Sequence, residues 1–185
     1  MQEPKPRLLI TGISGFLGSH LALTFLKDGT YSVRGSVRSL QNTMKIEPLR
    51  KEYGALFGEL EIVQLELTDR DSIFAAVKGC QYVVHSASPF PLLPPKHESE
   101  VIIPAVNGTK YVLEACVEYG VKRLVITSAY GAVSEAKPKN KPKSGHFNES
   151  HWSDTSYGPH ISAYEKSKTL AEKLAWEFVN KLPAD

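Results

Sequence analysis

Three glycines at intervals of three residues, Gly12, Gly15 and Gly18, constrain this chain more than any other feature of its sequence. The apolar run of residues 8–11 precedes them, and residues 15–27 follow with apolar side chains at helical spacing. In a strand–turn–helix unit of this kind, the first glycine permits a tight turn, the second lets the backbone approach a pyrophosphate, and the third allows the helix to pack closely on the strand. The N–H groups and the positive dipole end at the start of the helix then favour phosphate binding.

Strands and helices alternate along the rest of the chain. Apolar runs predict strands at residues 8–11, 31–37, 60–67, 82–86 and 123–127. Helical spacing predicts helices at residues 15–27, 71–78, 101–119 and 161–182, with a helix and loop in residues 42–58 and a long exposed loop in residues 135–150. Nearly continuous apolar strands joined by helical crossovers predict an α/β protein whose parallel sheet is covered on both faces.

Composition and charge exclude several classes of protein. The 185 residues are 42% hydrophobic, which supports one domain with its own core, and the net charge of +2 argues against nucleic-acid binding. Two cysteines, Cys80 and Cys116, are too few for a disulfide framework or a four-ligand zinc site. No apolar run approaches the roughly 18 residues of a membrane span, and no signal peptide is evident. We therefore expect a cytoplasmic protein with no metal site and no membrane span.

The end of the second predicted strand bears on the choice of cofactor. Sheets that bind NAD usually place an acid there to hold the ribose hydroxyls, but residues 32–40 contain none. Arg34 and Arg38 lie there instead, and a guanidinium at the strand end can pair with the 2′-phosphate of NADPH. This favours NADPH over NADH, with an ordinary surface arginine as the alternative at position 38. Asp69, after the third strand, has two equal interpretations: a contact with adenine or a helix cap.

Tyr164 and Lys168 lie four residues apart, so both occupy one face of the last predicted helix. An ammonium beside a phenol lowers the pKa of the phenol from about 10, and such a pair can exchange a proton with a carbonyl or alcohol oxygen. The lysine can also hold the nicotinamide ribose. An ordinary pair on a helix surface is the alternative interpretation, and the glycine loop upstream favours the catalytic one.

Together these motifs resemble the N-terminal part of an extended short-chain dehydrogenase/reductase of the NAD-dependent epimerase/dehydratase superfamily. Within it, the chain most resembles the dihydroflavonol reductase and cinnamoyl-CoA reductase group. The similarity covers nearly the whole chain in the right order. The matching segments are residues 11–20, 37–38, 67–69, 85–89, 106–109, 123–128, 148–154 and 164–168.

The resemblance implies a Rossmann-type doubly wound parallel sheet with helices on both faces. Residues 1–185 would form one NAD(P)-binding domain, incomplete at its C-terminus, with the last strand or strands and the substrate lobe missing and no second domain present. The implied cofactor contacts fall into four groups: Gly12, Gly15, Phe16, Leu17 and Gly18 at the pyrophosphate; Arg38 and Lys45 at the 2′-phosphate; Asp69 at adenine; Ser86 and Ala87 along the dinucleotide. Tyr164 would be the catalytic acid/base and Lys168 its activator.

The chain departs from the family pattern at one catalytic position. The family uses a serine hydroxyl to orient the substrate oxygen, and the ungapped alignment places Ala129 there. One such hydrogen-bond donor can be worth about 3 kcal/mol of transition-state stabilisation. Thr127 and Ser128 are the candidates to supply the missing hydroxyl, although neighbouring strand residues face opposite ways.

The sequence thus predicts an oxidoreductase, an NADPH-dependent reductase or dehydrogenase that acts on the carbonyl or alcohol of a small organic molecule, as a monomer or homodimer. Two alternatives remain open. One is an epimerase or dehydratase that retains its nicotinamide. The other is a catalytically weakened nucleotide-binding or regulatory protein, which Ala129 favours.

Overall fold

The computed structural model describes residues 4–91, 93–135 and 142–183. The chain divides into two compact units. The first unit consists of Met1–Ser88 and Tyr111–Thr127, and the second of Pro89–Lys110 and Ser128–Asp185. Part of the predicted 135–150 loop, residues 136–141, lies outside the described residues.

The first unit is built on a five-stranded parallel sheet, as the alternation of strands and helices predicts. Its strands are β1 Arg7–Thr11, β2 Ser32–Val37, β3 Glu61–Gln64, β4 Tyr82–His85 and β5 Arg123–Ile126. Their order across the sheet is β3-β2-β1-β4-β5, and all neighbouring pairs are parallel. The order of the strands reverses between β1 and β4, and doubly wound sheets bind their ligands at the carboxyl ends of the two strands at such a point.

Five α-helices within the described residues join or follow these strands. They are α1 Phe16–Asp28, α2 Thr43–Tyr53, α3 Arg70–Val77, α4 Ser99–Glu118 and α5 Ala163–Val179. Helix α5 begins later than the predicted residue 161 because Ser162 caps it: the Ser162 hydroxyl accepts from the Glu165 N–H, and the Glu165 carboxylate accepts from the Ser162 N–H. Gly29 ends α1 in a left-handed conformation with φ +71°.

Alternate residues of β1 enter two different cores, which confirms the prediction that helices cover both faces of the sheet. Leu8 and Ile10 pack with buried residues of α1 and α2, including Ala22 and Leu49. Leu9 is fully buried on the opposite face, in a cluster with the apolar side chains of α3 and the part of α4 within this unit. The two-residue period of a strand thus divides the core of the unit.

Strand β3 is shorter than the predicted 60–67 segment. The Leu65 N–H still donates to the Val37 carbonyl at 2.9 Å, but the Glu66 carbonyl accepts from the Asp69 N–H at 3.0 Å. This turn directs the chain into α3 and ends the sheet pairing. Within residues 4–91, 93–135 and 142–183, no helix combines the length and the apolar character that a membrane crossing needs.

Candidate functional site

Gly12 makes the turn that follows β1. Its φ of +74° is a conformation that residues with a side chain rarely adopt. The Gly12 N–H donates to the Ser36 hydroxyl at 3.1 Å. A Cβ at Gly12 would lie 3.1 Å from both Cα and Cβ of Ala87, so the absence of a side chain lets two chain segments meet closely. This confirms the tight turn expected at the first glycine.

Gly18 lies where α1 crosses the loop. A Cβ at this position would lie 2.4 Å from the Gly12 carbonyl oxygen, a distance that real contacts do not reach. The close packing expected for the third glycine is thereby confirmed. The Gly15 N–H donates to that same carbonyl oxygen at 3.0 Å, and Gly15 immediately precedes α1.

The start of α1 carries the features of an anion site. The first N–H groups of a helix have no partner within it, and here they include those of Phe16 and Leu17. The first turn contains no acidic residue, so no carboxylate opposes an anion there. The Phe16 side chain is 86% exposed and lies at the start of the helix, where it is accessible to a ligand.

Thr11 links the ends of β1 and β4. Its hydroxyl accepts from the N–H groups of Ser86, at 3.1 Å, and Ala87, at 3.0 Å. The hydroxyl also lies 2.9 Å from His85 Nδ1, and the Ser86 hydroxyl donates to the Thr11 carbonyl at 2.5 Å. Ser86 and Ala87 are therefore fixed beside the glycine loop. His85 is buried and hydrogen-bonded, as expected of a core histidine.

Arg34 and Arg38, considered together in the sequence, have different environments. The Arg34 guanidinium is buried; it donates to the carbonyls of Ala76, at 2.7 Å, and Lys78, at 2.9 Å. It also forms an ion pair with Glu61 at 2.9 Å. Arg34 thus joins β2 to β3 and to the end of α3, and it is a structural residue of the sheet.

The Arg38 side chain is 83% exposed just beyond β2, where it can reach a ligand. Its Nε lies 3.6 Å from a carboxylate oxygen of Glu66, which comes from beyond β3. Residues 32–40 contain no acid, but the fold brings the acidic side chain of Glu66 next to Arg38. Lys45, in the first turn of α2, is exposed.

Asp69 caps α3. Its Oδ1 accepts from the backbone N–H groups of Asp71, at 3.1 Å, and Ser72, at 3.3 Å. This confirms the capping interpretation. The side chain is exposed, and the contact with adenine stays a prediction.

In the second unit, α5 carries Tyr164 and Lys168. The Lys168 Nζ lies 6.0 Å from the centroid of the Tyr164 ring. The Phe90 ring meets the Tyr164 ring edge to face, with centroids 4.9 Å apart. Lys168 is only 7% exposed, so the pair is not an ordinary surface pair.

Burial controls the ionisation of both groups. It raises the pKa of the Tyr164 phenol above its ordinary value, which contradicts the expectation that Lys168 lowers this pKa. The physical reason is that the phenol is desolvated while the ammonium lies over the ring at 6.0 Å. Burial also lowers the pKa of Lys168, and the Glu172 carboxylate partly opposes that effect.

The segment that departs from the family pattern has a defined structure. Ala129 is extended, with φ −148° and ψ 154°, and Ser128 directly precedes it. The Ser128 hydroxyl donates to a Glu172 carboxylate oxygen. Thr127 belongs to the first unit, where its N–H donates to the His85 carbonyl at 3.0 Å.

The structure thus brings the glycine loop together with Ser86 and Ala87 in the first unit. In the second unit it groups Tyr164 and Lys168 with two residues that the sequence analysis missed, Phe90 and Glu172. Glu172 could have been found from its spacing, since it lies four residues after Lys168 on the same helix. Phe90 carries no such signal, because its contact with Tyr164 is tertiary.

Comparison with known proteins gives a consistent result. The model of the 3-beta hydroxysteroid dehydrogenase/isomerase family matches residues 9–181. Dihydroflavonol 4-reductase of Hordeum vulgare is 36% identical over 187 residues, covering 98% of this chain and 51% of that protein. The chain spans about half the length of the curated relatives it matches.

Two solved structures are similar in both fold and sequence. Yeast methylglyoxal/isovaleraldehyde reductase complexed with NADPH superposes with a TM-score of 0.79 at 32% identity, over 95% of this chain and 53% of that one. Vestitone reductase from alfalfa (Medicago sativa) gives a TM-score of 0.76 at 34% identity, over 96% and 53%.

Proposed function

Because the chain belongs to the 3-beta hydroxysteroid dehydrogenase/isomerase family, we propose that it binds NADPH and serves the reduction of a carbonyl group in a small organic molecule. The observation that carries the proposal is the close approach of α1 to the glycine loop, where a Cβ at Gly18 would lie 2.4 Å from the Gly12 oxygen. A loop of this shape at the carboxyl end of β1 suits a pyrophosphate. The similarity to a yeast reductase complexed with NADPH supports the choice of cofactor.

The residues of the first unit fit such a cofactor. The N–H groups at the start of α1 would hold the pyrophosphate, with Phe16 and Leu17 beside it. Arg38, with Lys45, would neutralise the 2′-phosphate, because an exposed guanidinium can form paired hydrogen bonds with phosphate. Asp69 would lie at adenine, and Ser86 and Ala87 along the dinucleotide. When bound, NADPH supplies the hydride for the reduction.

Tyr164 would act as the proton donor. Reduction adds a hydride to the carbonyl carbon and a proton to its oxygen, which gives an alcohol. Because burial raises the pKa of the Tyr164 phenol, the group holds its proton at neutral pH and can donate it to the oxygen. Lys168 would stabilise the phenolate that remains until solvent returns a proton.

A specific observation favours a second candidate, a nucleotide-binding protein with weakened catalysis. Ala129 has no hydroxyl, and the neighbouring Ser128 already donates its hydroxyl proton to Glu172. Turnover of NADPH with an aldehyde distinguishes the two candidates, since only the reductase oxidises the cofactor. The cytoplasmic location, the monomeric or dimeric state and the single-domain description stay predictions.

Titration with NADPH and with NADH tests the proposed cofactor. We expect tighter binding of NADPH, and we expect Arg38→Met to weaken NADPH binding by about tenfold, the loss of one charge-assisted phosphate contact. Binding of NADH should change little, because NADH has no 2′-phosphate.

Arg50→Met is the matched control, because Arg50 also forms an exposed ion pair, with Glu47 at 3.3 Å. Isothermal titration calorimetry provides both dissociation constants for each variant. Equal affinity for the two cofactors, or tighter binding of NADH, would contradict the role of Arg38.

A further inference from the structure

Tyr164, Lys168, Glu172 and Trp176 succeed one another at intervals of four residues along α5. At this spacing the four side chains occupy neighbouring positions on one side of the helix. The first two belong to the proposed reaction, whereas the proposed function gives no role to Glu172.

Burial of the Lys168 ammonium costs free energy, and a carboxylate on the same helix can offset part of this cost. The residue is 7% exposed, and an ammonium removed from water is costly unless an opposite charge lies close by. Burial accordingly lowers the pKa of Lys168, and the Glu172 carboxylate raises it. A carboxylate close to Lys168 thus offsets part of the cost of burying its ammonium.

Two donors hold the Glu172 carboxylate in place. The Ser128 hydroxyl donates to Oε2, and the Trp176 indole N–H donates to Oε1 at 3.3 Å. Ser128 comes from the segment that follows β5, so the carboxylate is held from outside its own helix as well as from within. Each carboxylate oxygen therefore has a donor, which restricts the orientation of the carboxylate.

Other charged groups near this row have partners of their own. The Glu165 carboxylate accepts from the Ser162 N–H at 2.7 Å, and Glu98 forms an ion pair with Lys166 at 2.7 Å. The Lys173 ammonium lies 5.3 Å from the Trp152 ring centroid. Glu172 is the acid whose charge acts on Lys168 and which the segment after β5 fixes in position.

We propose that Glu172 is a positioning residue for the Tyr164–Lys168 pair: its carboxylate, one helical turn from Lys168, stabilises the Lys168 ammonium, and Ser128 holds that carboxylate in place. Ser128 then serves the pair through Glu172 and does not donate to a substrate oxygen. The consequence for turnover rests on the proposed function, whereas the charge coupling exists without cofactor or substrate.

Nuclear magnetic resonance of the whole chain, labelled with ¹³C and ¹⁵N in lysine, tests the coupling directly. The Lys168 side-chain signal is assigned by its loss in Lys168→Met, and its titration is followed in the wild type and in Glu172→Gln. We expect the titration midpoint of Lys168 to move to lower pH in Glu172→Gln. Glu177→Gln, an exposed acid on the same helix, should leave the midpoint unchanged.

Substitutions at Ser128 test the second half of the proposal and keep the carboxylate. Ser128→Ala should shift the Lys168 midpoint in the same direction by a smaller amount, because Glu172 loses one of its donors. Ser128→Thr, which retains the hydroxyl, should restore the wild-type midpoint. If a urea titration shows that Glu172→Gln does not fold, the comparison of Ser128→Ala with Ser128→Thr is sufficient to test the proposal.

An unchanged midpoint in folded Glu172→Gln overturns the proposal, as does a Ser128→Ala midpoint equal to that of the wild type. Cofactor binding, measured on the same samples, separates this result from the proposed function. If the Lys168 midpoint shifts in Glu172→Gln but the wild type does not bind NADPH, only the proposed function is contradicted. If the wild type binds NADPH but the midpoint does not shift, only the role of Glu172 is contradicted.

Discussion

The glycine loop of the first unit is formed by backbone atoms, whereas the Tyr164–Lys168 pair of the second unit is formed by side-chain atoms. The loop is made of backbone, and its shape depends on the absence of side chains at Gly12 and Gly18. The pair is made of side chains, and its chemistry depends on how far burial shifts two pKa values. A backbone site is therefore sensitive to added volume, whereas a side-chain site is sensitive to changes in charge and solvation.

The two sites also differ in what they contribute to stability. Two N–H groups of the loop have partners within the first unit: the Gly15 N–H donates to the Gly12 carbonyl, and the Gly12 N–H donates to the Ser36 hydroxyl. Helix α5 instead buries the Lys168 ammonium, which costs free energy of folding. Functional residues often carry such a cost. Three substitutions test this contrast.

The largest effect is expected for Gly18→Ala. The added methyl would lie 2.4 Å from the Gly12 carbonyl oxygen and 2.9 Å from its carbon, and backbone atoms cannot move aside as a flexible side chain can. We expect the free energy of unfolding to fall by about 3 kcal/mol, the upper end for overpacking, and NADPH binding to be lost.

Gly58→Ala is the matched control, since an added Cβ at Gly58 meets no atom within 4 Å. Urea denaturation of both variants gives the comparison. A Gly18→Ala protein as stable as Gly58→Ala would show that the loop tolerates added volume after all.

A smaller loss is expected for Arg34→Met, which removes a buried cation from the first unit. Arg34 donates to two carbonyl acceptors and forms an ion pair with Glu61. We expect a loss of about 2 kcal/mol in the free energy of unfolding, the value of charged hydrogen bonds. Arg38→Met should leave stability unchanged, because that side chain is 83% exposed. If the two variants have the same free energy of unfolding in urea, Arg34 does not contribute more to stability than Arg38 does.

The smallest effect, of opposite sign, is expected for Lys168→Met. The pKa of Lys168 is lower in the folded state than its ordinary value of 10.5, so protonation favours the unfolded chain. Below the folded-state pKa the full cost is present, and it disappears as the pH rises from that pKa through 10.5. We therefore expect a gain of about 1 kcal/mol at pH 7.

Thermal and urea unfolding at pH 7 and above pH 10.5 measure this gain and its pH dependence. The stabilisation of Lys168→Met should shrink at the higher pH. A variant less stable than the wild type at pH 7 would show that Lys168 contributes more through packing than it costs through its charge.

Most features of the first unit could be predicted from local patterns in the sequence. The glycine spacing, the apolar strands and the turn after β1 are encoded within short segments, so the loop and the parallel sheet could be derived directly. The sequence could not separate Arg34 from Arg38, because their difference depends on the carbonyls at the end of α3. It also could not show that Glu66 comes within 3.6 Å of Arg38 from beyond a neighbouring strand.

The second unit was less predictable because its site depends on contacts between residues that are distant in the sequence. Spacing alone placed Tyr164 and Lys168 on one face of a helix, but the sign of the shift in the Tyr164 pKa was wrong. Desolvation depends on everything that surrounds a group, including a ring such as Phe90, whose position no local pattern encodes. Ser128 and Glu172 lie 44 residues apart, so their hydrogen bond was equally hidden.

The sequence by itself determined the fold class, the glycine loop and the placement of Tyr164 and Lys168 on one face of α5, because each depends on spacing within a few residues. Only the tertiary structure decided which arginine is structural, what lies beside the exposed one, and how Tyr164 and Lys168 ionise. These properties depend on burial and on charges brought together from distant parts of the chain, and neither is a property of any short segment.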